Sequence, residues 1–102
     1  MDFNSKVFRL VKRIPKGKVT TYKEIAKKLG TKAYRQVGQA LSKNPNAPKV
    51  PCHRVVCSDG SLAGYKGKLN SKKKISLLKK EGIKIENGKI KDFDKIIFII
   101  IL

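Results

Sequence analysis

Apolar residues recur at helical intervals through the first forty positions. Val7, Leu10, Val11 and Ile14 make one stripe, the spacing that gathers side chains on a single helix face. Ser5 stands where an N-cap is expected, and Pro15 with Gly17 is expected to end this first helix. A second, short helix is predicted around Ile25, Ala26 and Leu29, capped by Thr20 or Thr21, with Glu24 placed to close a capping box from Thr21 and Gly30 to stop it. Ala33, Val37, Ala40 and Leu41 then fall at i, i+4, i+7 and i+8, a third helix that ends before Asn44 and Pro45. Two short helices around a Gly-containing turn predict a helix-turn-helix.

Beyond Asn44 the pattern changes. Three prolines fall between Asn44 and Pro51, so a stiff, non-helical connection is expected there, positioning whatever follows. Val55, Val56 and Cys57 form an apolar run closed by Ser58, Asp59 and Gly60, which reads as a short buried strand entering a turn. Gly60, Gly64 and Gly67 mark a loop. Asn70 or Ser71 is placed to cap a fourth helix through Ile75, Leu77 and Leu78, with Glu81 as its last residue and Gly82 as its left-handed stop. Ile83 to Ile90 alternates apolar and polar residues around Asn87 and Gly88, a hairpin signal. The fold class that results is mainly α with a small β element, a helix-turn-helix domain of winged-helix character.

Length and charge narrow the function. The 102 residues hold one modest core and no second catalytic domain. Twenty-five Lys and Arg against seven Asp and Glu give a formal charge of +18, so the expected partner is a polyanion. The lysines run along the whole length, which suits a basic face against a duplex better than a basic tail on an unrelated domain. A lysine-rich, merely solvated surface is the competing explanation. Cys52 and Cys57 are the only cysteines and His53 the only histidine, too few soft ligands for a structural zinc site, so no metal is expected. Two cysteines five positions apart without a signal peptide fit free thiols in a reducing, cytoplasmic setting. The apolar stretch Ile96 to Leu102 is far shorter than the roughly 20 residues that span a bilayer, so no membrane partner is expected.

Pro51, Cys52, His53 and Arg54 bring a soft nucleophile, a base and a cation to the end of the proline-stiffened approach. A cysteine attacks as its thiolate, and a neighbouring imidazole or guanidinium favours that form. Adjacent side chains point apart in extended backbone, so His53 is expected to reach Cys52 through a turn or a bridging water. A further group should orient the imidazole, and Glu81 is the candidate among the few acids. On its own a Cys-His pair is weak evidence, because a buried structural cysteine beside a satisfied histidine is commoner. Cys57 takes the structural reading, since it continues an apolar run with no base beside it.

The stretch from Ile14 to Gly82 resembles the O6-alkylguanine-DNA alkyltransferases. Their Pro-Cys-His-Arg-Val stands here as Pro51 to Val55, and the likeness extends to Gly17 through Tyr22, Arg35 through Gly38, Asn44-Pro45, Gly64-Tyr65 and Glu81-Gly82, in the same order and spacing over about two thirds of the chain. The resemblance implies a protein that binds duplex DNA through its helix-turn-helix in the minor groove, flips O6-alkylguanine, or O4-alkylthymine, into a pocket, and takes the alkyl group irreversibly onto Cys52. Each copy then acts once, as a monomer without a cofactor. By the same resemblance His53 takes the thiol proton through a water, Glu81 fixes the imidazole tautomer, Tyr22 presses on the lesion phosphate and sits by the guanine, and Asn44 braces the turn beside the nucleophile. Arg35 resembles the finger that fills the gap in the base stack. Ala33 and Gly38 keep the third helix bare enough for a narrow groove, Gln39 lies on the same DNA-facing helix, and Tyr65, Lys66 and Val55 belong to the substrate pocket.

Physical reasoning supports these assignments. A stacked base cannot be reached by a side chain, so extrusion is required, at a cost of a few kcal/mol that an inserted Arg35 offsets. Phosphate contacts carry no base identity, which suits repair indifferent to flanking sequence. Affinity should fall with salt by a log-log slope of about −0.9 per phosphate neutralised.

Several features depart from the family's pattern. Its members commonly carry an N-terminal domain, whereas the matching block here begins almost at Met1, so residues 1–91 are expected to form the alkyltransferase unit and residues 92–102 an apolar tail without assigned role, its stretch Ile96 to Leu102 either covering the surface left bare on the first helix or forming a disordered, aggregation-prone end. Lys66 and Lys68 alter the loop from Leu62 to Lys68, and Tyr34 and Gln39 are bulkier than the residues common at those places. Two other readings are open. Alkyltransferase-like proteins bind lesions without chemistry but carry Trp where this chain has Cys52; a small helix-turn-helix regulator would act as a dimer on a palindrome. A cysteine hydrolase of small neutral substrates fits the positive charge poorly.

Overall fold

Asp2, not Ser5, starts the first helix. In the computed structural model, which describes residues 2–44, 49–62 and 72–98, the Asp2 carboxylate accepts from the Ser5 backbone N–H at 2.8 Å and α1 runs Phe3–Val11. A carboxylate satisfies an orphan N–H and also faces the positive end of the helix dipole, an advantage the Ser5 hydroxyl lacks. The helix stops before Ile14, yet Ile14 is still buried: tight turns carry its backbone N–H to the Val11 carbonyl, so the apolar stripe outlasts the helix.

Thr21 caps α2 (Tyr22–Lys28) through a hydroxyl that accepts from the Glu24 N–H at 3.0 Å. After the Gly30 turn, α3 runs Tyr34–Ser42 with Ala33 as its N-cap. These two helices form the helix-turn-helix, and with α1 they enclose Val7, Val11, Ile25, Val37 and Leu41 in one apolar cluster.

Strand pairing adds what periodicity could not show. β1 (Thr20–Thr21) lies parallel to β2 (Val55–Val56), with Thr20 opposite Val55 and Thr21 opposite Val56. Successive strand residues face opposite sides, so Val55 enters the first cluster and Val56 a second, built with Val19, Leu62, Leu78, Ile83 and Ile90. The short sheet is thus the partition between two cores. Cys57 corrects the expectation of a buried strand residue: β2 ends at Val56, and Cys57 turns out of the sheet half-exposed, its N–H donating to the Ser61 carbonyl.

Lys72–Lys80 forms α4; the expected caps Asn70 and Ser71 lie outside the described residues. Glu81 follows the last helical residue rather than being it: its N–H donates to the Leu78 carbonyl, three residues back, as the chain tightens into the turn at Gly82, φ +85°. Ile85–Glu86 (β3) and Lys89–Ile90 (β4) pair antiparallel across Asn87 and Gly88, both at positive φ, as a two-residue hairpin turn requires. The Ile90 N–H donates to the Gly60 carbonyl and fastens the hairpin behind β2.

The chain then makes a single turn, α5 (Phe93–Ile96), and Ile97 bridges Val19 in parallel. Phe93 and Ile96 pack on the second cluster and Phe98 on the first. No helix among the described residues is long and apolar enough to cross a membrane.

Candidate active site and nucleic-acid face

Pro51 leads into a 3-10 turn, Cys52–Arg54, between the partly described connection and β2. The turn supplies the change of direction expected between adjacent side chains. The Val50 carbonyl holds its entrance, accepting from the Cys52 N–H at 2.8 Å and from the Asn44 side-chain amide at 2.8 Å. Asn44 is itself buried at the end of α3, where its N–H donates to Leu41. A single carbonyl thereby couples the end of α3 to the backbone of the thiol.

Cys52 is 4% exposed and His53 2%. The imidazole Nε2 lies 2.7 Å from Glu81 Oε2. An ionised carboxylate only accepts, so the ring proton sits on Nε2 and Nδ1 keeps its lone pair. Nδ1 is buried and has no partner among the described residues, an available base in an apolar setting. Burial holds the His53 pKa below its ordinary value, opposed by the hydrogen bond and charge of Glu81, so the ring is neutral at pH 7.

Arg54 is not turned to the thiol as a thiolate partner. It grips the other member of the pair: its Nε donates to Glu81 Oε1 at 2.9 Å and its Nη2 to Oε2 at 2.8 Å, while Nη1 donates to the Ile14 carbonyl at 2.8 Å. Burial raises the Glu81 pKa, but hydrogen bonds from Arg54 and His53 outweigh it, and the net shift is downward. A carboxylate fixed by a bidentate fork cannot swing away from the imidazole.

Lys74 escaped the sequence reading. Within the run Lys72–Lys74 it reads as one more solvated charge, yet it is 1% exposed. Its ammonium donates to the Val55 carbonyl at 2.8 Å and to the Leu62 carbonyl. Burial pushes its pKa down to about 8 against the pull of Cys52 and Cys57. The one available signal is its place four residues before buried Leu78, on the core face of α4.

Tyr22 opens α2 half-buried. Its ring faces Gly38, where a Cβ would lie 3.8 Å from the ring, and the Lys74 ammonium is 6.0 Å from its centroid. Burial, then the Cys57 and Cys52 thiolate charges, raise the phenol pKa, so Tyr22 remains a hydrogen-bond donor. A Cβ at Gly38 would make only an ordinary contact with the Tyr22 ring, so packing against Tyr22 does not demand glycine there, and Ala40 is buried in the core. Ala33 is half-buried, whereas Arg35 and Gln39 are exposed on α3. Val55 has its side chain in the core and its carbonyl toward Lys74. Tyr65 and Lys66 lie outside the described residues. Among the described residues no group of three or more His, Cys, Asp or Glu is arranged to hold a metal ion.

The family described as 6-O-methylguanine DNA methyltransferase, DNA binding domain, matches residues 2–83. The chain belongs to this methyltransferase family. Over 83 residues it is 51% identical to the methylated-DNA–protein-cysteine methyltransferase of Saccharolobus islandicus, covering 81% of this chain and 52% of that protein. It is 44% identical over 91 residues to the bifunctional methyltransferase/endonuclease of Picrophilus torridus, covering 88% of this chain and 30% of that protein. The chain therefore spans between about a third and a half of the length of these methyltransferase relatives. Among solved structures, S. pombe Atl1 in complex with damaged DNA containing O6-carboxymethylguanine superposes with a TM-score of 0.82 at 34% identity, over 94% of both chains. The M. tuberculosis OGT in complex with DNA gives 0.72 at 43% identity, over 79% of this chain and 50% of that one.

Proposed function

We infer that this chain repairs O6-alkylguanine in duplex DNA by moving the alkyl group irreversibly onto Cys52. The observation that carries this reading is the Glu81–His53 pair beside a buried thiol, one carbonyl away from the recognition helix. Because Cys52 is buried, a base still in the stack is out of its reach, and the substrate has to be an extruded one. Arg35 enters the gap, and α3 with Ala33, Gly38 and Gln39 lies along the minor groove.

His53 Nδ1 takes the thiol proton through a water. The thiolate attacks the sp³ carbon on O6, forming the S–C bond as the O6–C bond breaks, and the electron pair goes to guanine O6. Tyr22 assists departure by donating a hydrogen bond to the base; the base takes up one proton from water and returns to its keto form, and His53 gives the thiol's proton back to water, so the protons balance. The thioether has no easy way back, so each copy acts once. Lys74 holds the Val55 and Leu62 carbonyls near the two thiols and contributes positive charge as the thiolate forms. Tyr65 and Lys66 contribute to the base pocket, where Val55, its side chain in the core, offers only backbone; O4-alkylthymine is a further substrate, and the chain works as a cytoplasmic monomer without a cofactor. Residues 1–91 make the working unit, and Phe98, beyond it, covers part of the cluster that contains α1.

The end-to-end likeness to Atl1 favours one second reading, lesion binding without transfer. Weighing the intact protein after incubation with an O6-methylguanine duplex separates the two. One added methyl on the Cys52 peptide is expected; tight binding with unchanged mass supports the second reading.

A further inference from the structure

Tyr34 is the one large hydrophobic side chain among the described residues that stands exposed, at 51%. It is the first residue of α3, next to Arg35. Its ring lines two clefts. One, of about 500 Å³, has an apolar floor at Ala26 and Gly30 and a rim of Lys23, Lys27 and Lys32. The other, of about 260 Å³, lies among Tyr22, Lys23, Cys57 and Ser58. Among the described residues the exposed ring thus borders open space on two sides, and three lysines line the larger cleft with it. The thiol sites need no such plate, and burying it in the core would have been worth about 2 kcal/mol by apolar transfer alone.

An aromatic plate inside a cationic cleft is the arrangement that holds unstacked nucleobases elsewhere, since every base has a π-face and every nucleotide a negative phosphate. Resting on the proposed extrusion reading, we propose that Tyr34 is a stacking residue for a nucleobase that loses its neighbour when the lesion leaves the helix, with Lys23, Lys27 and Lys32 neutralising the adjoining phosphates. Arg35 fills the gap, and Tyr34 caps the base beside it. Stacking then compensates part of the cost of extrusion and makes Tyr34 a determinant of preference for damaged over intact DNA. The lysines act alike on both kinds of duplex, because phosphates are present in both.

Equilibrium binding by fluorescence anisotropy tests this, on one duplex with O6-methylguanine and the same duplex unmodified, for the wild-type chain, Tyr34→Ala and Tyr34→Phe, with thermal melts to control folding. Tyr34→Ala is expected to weaken binding of the damaged duplex about tenfold, the equivalent of about 1.4 kcal/mol, leave the intact duplex at its wild-type affinity, and be rescued by Tyr34→Phe. Equal losses on both duplexes, no loss on either, or a Phe variant as weak as the Ala variant overturns the proposal. A wild-type chain that binds both duplexes alike counts against extrusion itself, whereas a wild-type preference untouched by Tyr34→Ala counts against Tyr34 alone.

Discussion

The centre around Cys52 and the exposed face of α3 are built on opposite terms. At the centre every charged group is committed: Glu81 receives three hydrogen bonds, from His53 and Arg54, and Arg54 also reaches back to Ile14. On the face, Arg35, Gln39 and Tyr34 stand in solvent. Chemistry needs atoms held in place before the substrate arrives, because reorganisation during the reaction raises the barrier. Recognition of a polyanion needs charge within reach and pays little for mobile side chains until contact. The lesson is that damage to the centre should appear in rate and damage to the face in affinity.

The widest separation is expected from Glu81→Gln. Losing the carboxylate releases the Nε2 tautomer and the Arg54 fork together, so single-turnover methyl transfer should slow about a hundredfold while affinity for the damaged duplex stays put. Stopped-time mass analysis reads the first and anisotropy the second; a weakened affinity with an unchanged rate would erase the division. Arg35→Ala is the converse. Affinity for a damaged duplex should drop about tenfold, since an inserted residue offsets part of an extrusion cost of a few kcal/mol, with the melting temperature unmoved.

A smaller effect concerns stability against pH at the border of the two cores. The Lys74 pKa is lowered from 10.5 to about 8, so between those values the unfolded chain binds the proton more tightly, and stability rises with pH across that window. His53 and Glu81, both lowered, act at the acid end with the same sign: their contributions are present above the ordinary values of 6.5 and 4.5 and are lost as pH falls through the lower, folded ones. Lys74→Met should abolish the alkaline rise and leave the acid fall. Urea titrations of both chains at several pH values give the comparison; parallel curves between pH 8 and 10.5 would remove the buried-ammonium assignment.

Legibility in the sequence follows the range of the interactions. The stripes Val7–Val11 and Val37–Leu41, the Thr21 cap and the Asn87-Gly88 turn are local matters, and the structure has them where the spacing puts them. The caps misread, Asp2 for Ser5, lay within three residues of each other, where two good capping side chains compete. The parallel pair Thr20–Thr21 with Val55–Val56 was invisible, because two residues carry no period and their partners are 35 positions apart. Pro51 to Arg54 carries a cysteine and a histidine side by side in the sequence, and Glu81, the acid the sequence offers to orient the imidazole, lies 2.7 Å from it. What chain order could not reveal was Arg54 turning to Glu81, Cys57 turning out of the sheet, or a lysine among lysines folding inward to hold two carbonyls.

The most direct test counts lesions. Mix a known amount of the chain with an excess of O6-methylguanine duplex, wait until repair stops, and compare guanine restored with S-methylcysteine at residue 52. One restored guanine per chain, one methyl on Cys52 and none restored by Cys52→Ser is the expected result. Continued turnover, or repair by the serine variant, would contradict transfer to this thiol.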